Sequence, residues 1–364
     1  MANQAIRKPR FYVDLINYQM ARGVAQNGNF DVTATATNYK GLQTGTEAEL
    51  FDMRPLNLCT FDTSAASNGT AGDGHVLITI NKGNTTSKVN YIAILNHNLA
   101  TATGKIRIFA GNIASDVASF DGSAAETADI NWSSVAITKV VNADNLATGS
   151  DNKSTVIRPA TDGTTIFTFP EQTLQYWGIQ FEGSDGGADA DTDETWHSSS
   201  DFSVGCIMMG EYIDLRSPDL NVVKTITFDQ VTQQTSIGGQ KFSNMTSYGR
   251  SVSSTSKSPF SISQNPQNIY GGRISYDMSF SYLSASELTP SEYVSIGTDD
   301  SVIEDIFNRT HGSHIPMIFS CDSTSVEDNA ESEHIFARLD QNSLEMTQVA
   351  LDTYNIQLRI VEEF

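Results

Sequence analysis

The chain has 364 residues, 43 acidic against 22 basic, and a net charge of −21 with histidine neutral. Hydrophobic residues make up 39%, enough to build cores, so a wholly disordered chain is excluded. The acidic balance excludes wrapping of nucleic acid, whose phosphates need clustered Lys and Arg. The length suggests about two domains.

Read from the N-terminus, residues 1–23 form an arm that is basic at Arg7, Lys8 and Arg10. No apolar stretch of ~7–15 residues follows those charges, so the arm is not a secretory signal, and synthesis in a cytoplasm is expected. Residues 1–54 are read as this arm with lead-in strands. From about Pro55 to Leu215, short apolar runs recur between turn residues: Val76 to Ile80, Tyr91 to Leu95, Ile106 to Phe109, Ile166 to Phe169, Tyr176 to Phe181 and Phe202 to Met209. All fall far below the ~20 apolar residues of a membrane-spanning helix, and no membrane insertion is expected. Strands at this spacing with few helices point to a β-sandwich over residues 55–217.

The chain divides around Ser217 and Pro218. In residues 218–364, Ile274, Tyr276, Met278, Phe280 and Tyr282 alternate with small or polar residues, which predicts a strand with one buried face. The same holds for Tyr354, Ile356, Leu358 and Ile360. A helix is expected over about 301–311, with Ser301 and Glu304 at capping-box spacing, an apolar stripe at Val302, Ile303, Ile306 and Phe307, and Gly312 as its left-handed stop. A second, weaker helix is expected over Pro290 to Ile296. Strands surrounding one helix make this half an α+β or β-barrel-like module. Two polar stretches read as loops, Gly183 to Ser200 and Ser243 to Asn268.

Catalytic motifs are missing: there is no G-x-S-x-G, Walker A, G-x-G-x-x-G after a strand, or H-E-x-x-H. Cys59, Cys206 and Cys321 are far apart and read as buried reduced thiols. Asp189, Asp191 and Asp193 could gather calcium, but Glu194 stands where a helix–loop–helix site needs Gly and Ser200 where it needs Glu. A solvated acidic loop is the preferred reading, with a non-helical calcium site as the alternative. His311, His314 and Cys321 have a zinc-like composition, yet His311 is better explained by the helix C-terminus. His97, between Asn96 and Asn98, reads as a turn residue. Trp177 alternates like a core residue, which leaves Trp196 as the candidate exposed platform for a sugar ring. Paired-carboxylate chemistry from Asp189, Asp191, Glu194 and Glu211 is disfavoured, because these residues crowd on a loop instead of being held at a fixed separation.

The segments Tyr91-Ile-Ala-Ile-Leu-Asn-His-Asn-Leu99, Lys105 to Phe109, Tyr176 to Phe181 and Val204 to Leu215 together resemble galactose-binding-like jelly-roll domains of bacteriophage tail proteins. Residues 218–364, with a long strand, a helix, a strand and a terminal hairpin (His334 to Leu339, then Leu344 to Glu363), are similar in layout to β-barrel modules of phage tail-tube and distal-tail proteins. The resemblance implies a mainly β virion structural protein, not an enzyme and without a cofactor, made in the host cytoplasm. It would form a ring, hexameric in expectation, connecting tail tube to hub or fibres in a tail tip or baseplate. A fibre adaptor or host-glycan binder, and a capsid decoration protein, are the alternatives. The arm (Arg7, Lys8, Arg10) and the polar loop with Tyr248 and Arg250 are the candidates for contact with neighbouring subunits or other tail proteins.

Overall fold

A computed structural model describes residues 7–21, 30–33, 39–64, 74–83, 85–118, 128–149, 152–184, 195–228, 231–245, 260, 272–290, 302–326 and 333–363. The strands in chain order are β1 (Arg10–Asp14), β2 (Phe30–Thr33), β3 (Leu42–Thr44), β4 (Cys59–Phe61), β5 (His75–Asn81), β6 (Val89–His97) and β7 (Gly104–Gly111). Next come β8 (Thr138–Val141), β9 (Ala147–Thr148), β10 (Thr155–Ile157), β11 (Gly163–Gln172), β12 (Tyr176–Gly183), β13 (Phe202–Val204) and β14 (Cys206–Asp214). The second half holds β15 (Val223–Thr227), β16 (Val231–Thr235), β17 (Lys241–Met245), β18 (Arg273–Ser284), β19 (Met317–Ser320), β20 (His334–Leu339), β21 (Thr347–Ala350) and β22 (Thr353–Glu362). Short helices are α1 (Leu15–Ala21), α2 (Ala285–Leu288) and α3 (Ile303–Arg309). The protein is mainly β, as its turn-rich sequence predicts.

The two halves share one sheet. Eleven strands join in the order β15-β18-β22-β20-β19-β1-β14-β6-β11-β8, with β21 added against β22. Strand β1 is the joint: it pairs antiparallel with β14 from the first half and with β19 from the second. The N-terminal segment from Arg10 onward is therefore a central strand and not an arm awaiting a neighbour. The reason is its composition, because Phe11, Tyr12 and Val13 are all buried and a strand apolar on both sides belongs inside a sheet. A second, six-stranded sheet (β2-β5-β12-β7-β10-β9) completes the sandwich. Both described sheets are open, so the barrel expected for the second half is not closed among the described residues.

Side-chain alternation distributes the core. On β14, Ile207 and Met209 enter the sandwich core with Ile92, Ile94, Ile108 and Trp177. Ile213 and Leu215 on the same side enter the second-half core with Phe11, Val13, Phe319 and Ile360. The intervening Cys206 and Met208 point to the opposite face, into a third cluster with Tyr12, Tyr91, Leu95 and Phe336. Each fully buried aliphatic or aromatic side chain is worth about 1.5–3 kcal/mol, so one sheet carrying three clusters couples the halves.

Local expectations hold with two corrections. Ile356, Leu358 and Ile360 alternate as expected, but on β18 the register shifts between Phe280 and Leu283. Tyr282 takes φ 58° and is exposed, while Leu283 fills the core position. The principal helix starts after Val302, which occupies the cap in place of Ser301, and it ends through His311 and Gly312, both at positive φ. Ser301 and most of the weaker helix expected over 290–296 lie outside the described residues, and the nearest helix is α2.

Asp14, at the end of β1, is fully buried and accepts hydrogen bonds from the Asn17 amide and side chain and from the Met209 amide. Burial nevertheless pushes its carboxyl up to about 6 from 3.8, against those hydrogen bonds. The folded chain thus holds this proton more tightly than the unfolded chain. The Asp14 contribution to stability is full at and below about pH 4, falls as pH rises towards 6 and is level above. Denaturant titrations at half-unit pH steps should show that decline in the wild type and lose it in Asp14→Asn; equal pH profiles would refute the assignment.

Candidate assembly edge

Strand β15 ends the large sheet. It pairs with β18 from Val223 opposite Asp277 to Thr227 opposite Arg273, and among the described residues nothing pairs with its other side. All five of its residues are exposed. The chain then forms a separate two-stranded hairpin, β16 with β17, from Val231 opposite Met245 to Thr235 opposite Lys241. A turn with Gly239 at φ 85° closes it, and Ile237 at the tip is fully exposed.

This region concentrates unburied apolar surface. Of thirteen large hydrophobic residues exposed among the described residues, seven lie between Leu220 and Phe242. Ile226 is 56% exposed and Phe242 55%, on strands whose β-branched and aromatic residues suit a pleated, half-buried surface. A lone two-stranded hairpin is marginal in water, and a bare apolar sheet edge is a template for pairing with another chain. The arrangement can do one thing well: extend its sheet into a neighbour and bury those side chains.

The other candidate residues fall elsewhere. Arg10 is held at Asp214 by two hydrogen bonds of 2.6 and 2.8 Å and lies 4.0 Å from the Tyr212 ring centre, inside the fold. Arg7 lies 3.8 Å from Asp322, and the Lys8 carbonyl accepts from the Ser323 amide, so both residues fasten the strand end to the second half. Asp189, Asp191, Asp193, Tyr248 and Arg250 lie outside the described residues. Trp196 is not an exposed platform: it is 4% exposed, its indole N–H donates to the Gly74 carbonyl at 2.8 Å, and it stacks on Phe202. Packing against the aromatic core outweighs the polarity of its sequence neighbours.

His97 is the buried last residue of β6 and not part of the turn itself, which it braces by accepting from the Leu99 amide. Its other ring nitrogen bonds Thr165, and burial lowers its imidazole to about 3. His311 and His314 are exposed while Cys321 is buried, and among the described residues no three potential metal ligands converge. All three cysteines are buried and outside any disulfide. Sequence reasoning missed two buried charge networks. Glu182 binds Arg107 at 2.5 Å and lies 3.6 Å from Lys105, and these cations draw its carboxyl below the ordinary range despite burial. Glu211 on β14 accepts from Arg309 on α3 at 2.7 Å, on the sheet face between the two cores.

No family model matches the chain, and no curated protein matches it. Among solved structures, chitosan-binding module 1 of a chitosanase/glucanase from Paenibacillus sp. IK-5 aligns with 52% of this chain and 98% of its own, at 12% identity and a TM-score of 0.27. A likeness that distant carries no weight for fold or function.

Proposed function

We propose that this chain is a structural, non-catalytic subunit that assembles with copies of itself, as a ring component of a phage tail tip or baseplate. The observation that carries self-assembly is the β15 edge, unpaired on its outer side among the described residues, continued by a hairpin whose first strand, β16, is exposed throughout. An edge paired head-to-tail with a different surface of the next copy closes into a ring when the rotation per copy divides the circle. The placement in a tail rests on the sequence resemblance in both halves, which share the large sheet through β1. The first half, away from the edge, would project outward and contact other tail proteins.

Electron microscopy of intact particles, with the chain located in the map, tests the placement. A sixfold ring at the tail end is expected. Density on the capsid surface would overturn the tail reading, and a threefold peripheral position would replace it with a fibre adaptor.

A further inference from the structure

The solvent face of the second half carries a feature that assembly through an edge does not use. Over β18 and β22 lies a groove of about 530 Å³. Its floor is the outward row of β22, Asn355, Gln357 and Arg359, and its walls are Asp219 on one side with Asp340 and Glu345 on the other. The volume falls within the ~300–1,000 Å³ of small-ligand sites, but the lining is almost wholly hydrogen-bonding. Carboxylates accept, the guanidinium donates, and the amides of Asn355 and Gln357 do both. Such a mixture suits a ligand whose groups are themselves both donors and acceptors, namely hydroxyls. Three carboxylates against one guanidinium disfavour an anionic ligand.

The register shift of β18 exposes Tyr282, whose backbone adjoins the groove beside Ser281 and Asn355 while its ring is not part of the lining. Tyr282 directly follows Ser281, whose hydroxyl donates to the Asp219 wall at 2.7 Å, and its own amide donates to Asn355 of the floor at 3.1 Å. The ring is 73% exposed. A bulge is a device for re-aiming a side chain, and a tyrosine offers a flat apolar face with a polar tip.

We propose that this groove binds an uncharged glycan, with Tyr282 stacking on a sugar ring and Gln357 and the wall carboxylates holding its hydroxyls. The site is separate from the β15 edge, so it stands or falls independently of ring formation. The test applies the full chain to an array of neutral hexose, sialylated and amino-sugar oligosaccharides, then titrates the best neutral oligosaccharide by calorimetry. Neutral glycans should bind. Tyr282→Ala and Gln357→Ala should each weaken binding about tenfold, Tyr282→Phe should retain it, and all three variants should keep the wild-type melting temperature. An array on which no neutral glycan binds, binding confined to amino sugars or sialylated glycans, or wild-type affinity in both alanine variants would each overturn the proposal.

Discussion

Replacing Gly210 with alanine should destabilise the chain by about 3 kcal/mol or more, at the upper end of what overpacking costs. Gly210 sits on β14 opposite Asp14, where the first half of the chain meets β1. A methyl there would lie 2.2 Å from the Val13 carbonyl oxygen and 2.8 Å from the Leu15 amide nitrogen. Both are backbone atoms, the first in β1 and the second in the opening residue of α1, so relief requires moving the end of β1 and the start of α1 and not merely turning a side chain. Denaturant titration should show a lower midpoint for the whole chain, because β1 contributes to the cores of both halves. A loss under 1 kcal/mol would mean that β1 yields easily and the halves are coupled more loosely than their shared sheet implies.

The second large effect is expected at Arg309. The residue is 5% exposed, and its guanidinium reaches Glu211 at 2.7 Å and Asp305 at 3.5 Å. Arg309→Met fills much of the space but leaves the buried Glu211 carboxylate without that partner, which should cost about 3–5 kcal/mol. The double variant Arg309→Met, Glu211→Met removes both charges and should recover most of the loss, because burying an ion pair is itself expensive. Urea unfolding of the single and double variants measures this. A single variant as stable as wild type would show that the pair contributes nothing, and a double variant no better than the single would place the loss in packing.

The strands of both halves were legible because period-two alternation and turn residues are local signals: β5, β6, β7, β12 and β22 all appear where the sequence pattern puts them. The joint was not. Phe11, Tyr12 and Val13 form a run too short to distinguish a central strand from a lead-in, and its partners lie about 200 and 300 residues away. The bulge at Tyr282 hides for a related reason, since the alternation of β18 continues through Tyr282 in the sequence, and only pairing with β22 shows that Leu283 takes the core position. Trp196 misled because composition around it is acidic and polar, whereas its indole is claimed by Phe202 and the Gly74 carbonyl. Of the assembly edge, the sequence carries one signal in retrospect. Between Val231 and Met245 there is no acidic residue in a chain of net charge −21, alongside apolar residues that no core receives.

Native mass spectrometry of the full chain over a range of concentrations tests self-assembly through this edge most directly. The account predicts one closed copy number, six on the expected geometry, that persists on dilution. It further predicts collapse to monomer in the double variant Ile226→Lys, Phe242→Lys, which places charges on exposed positions of the edge and hairpin. That variant should melt as the wild-type monomer does. A wild-type chain that stays monomeric at every concentration, or an oligomer indifferent to both lysines, would contradict the account.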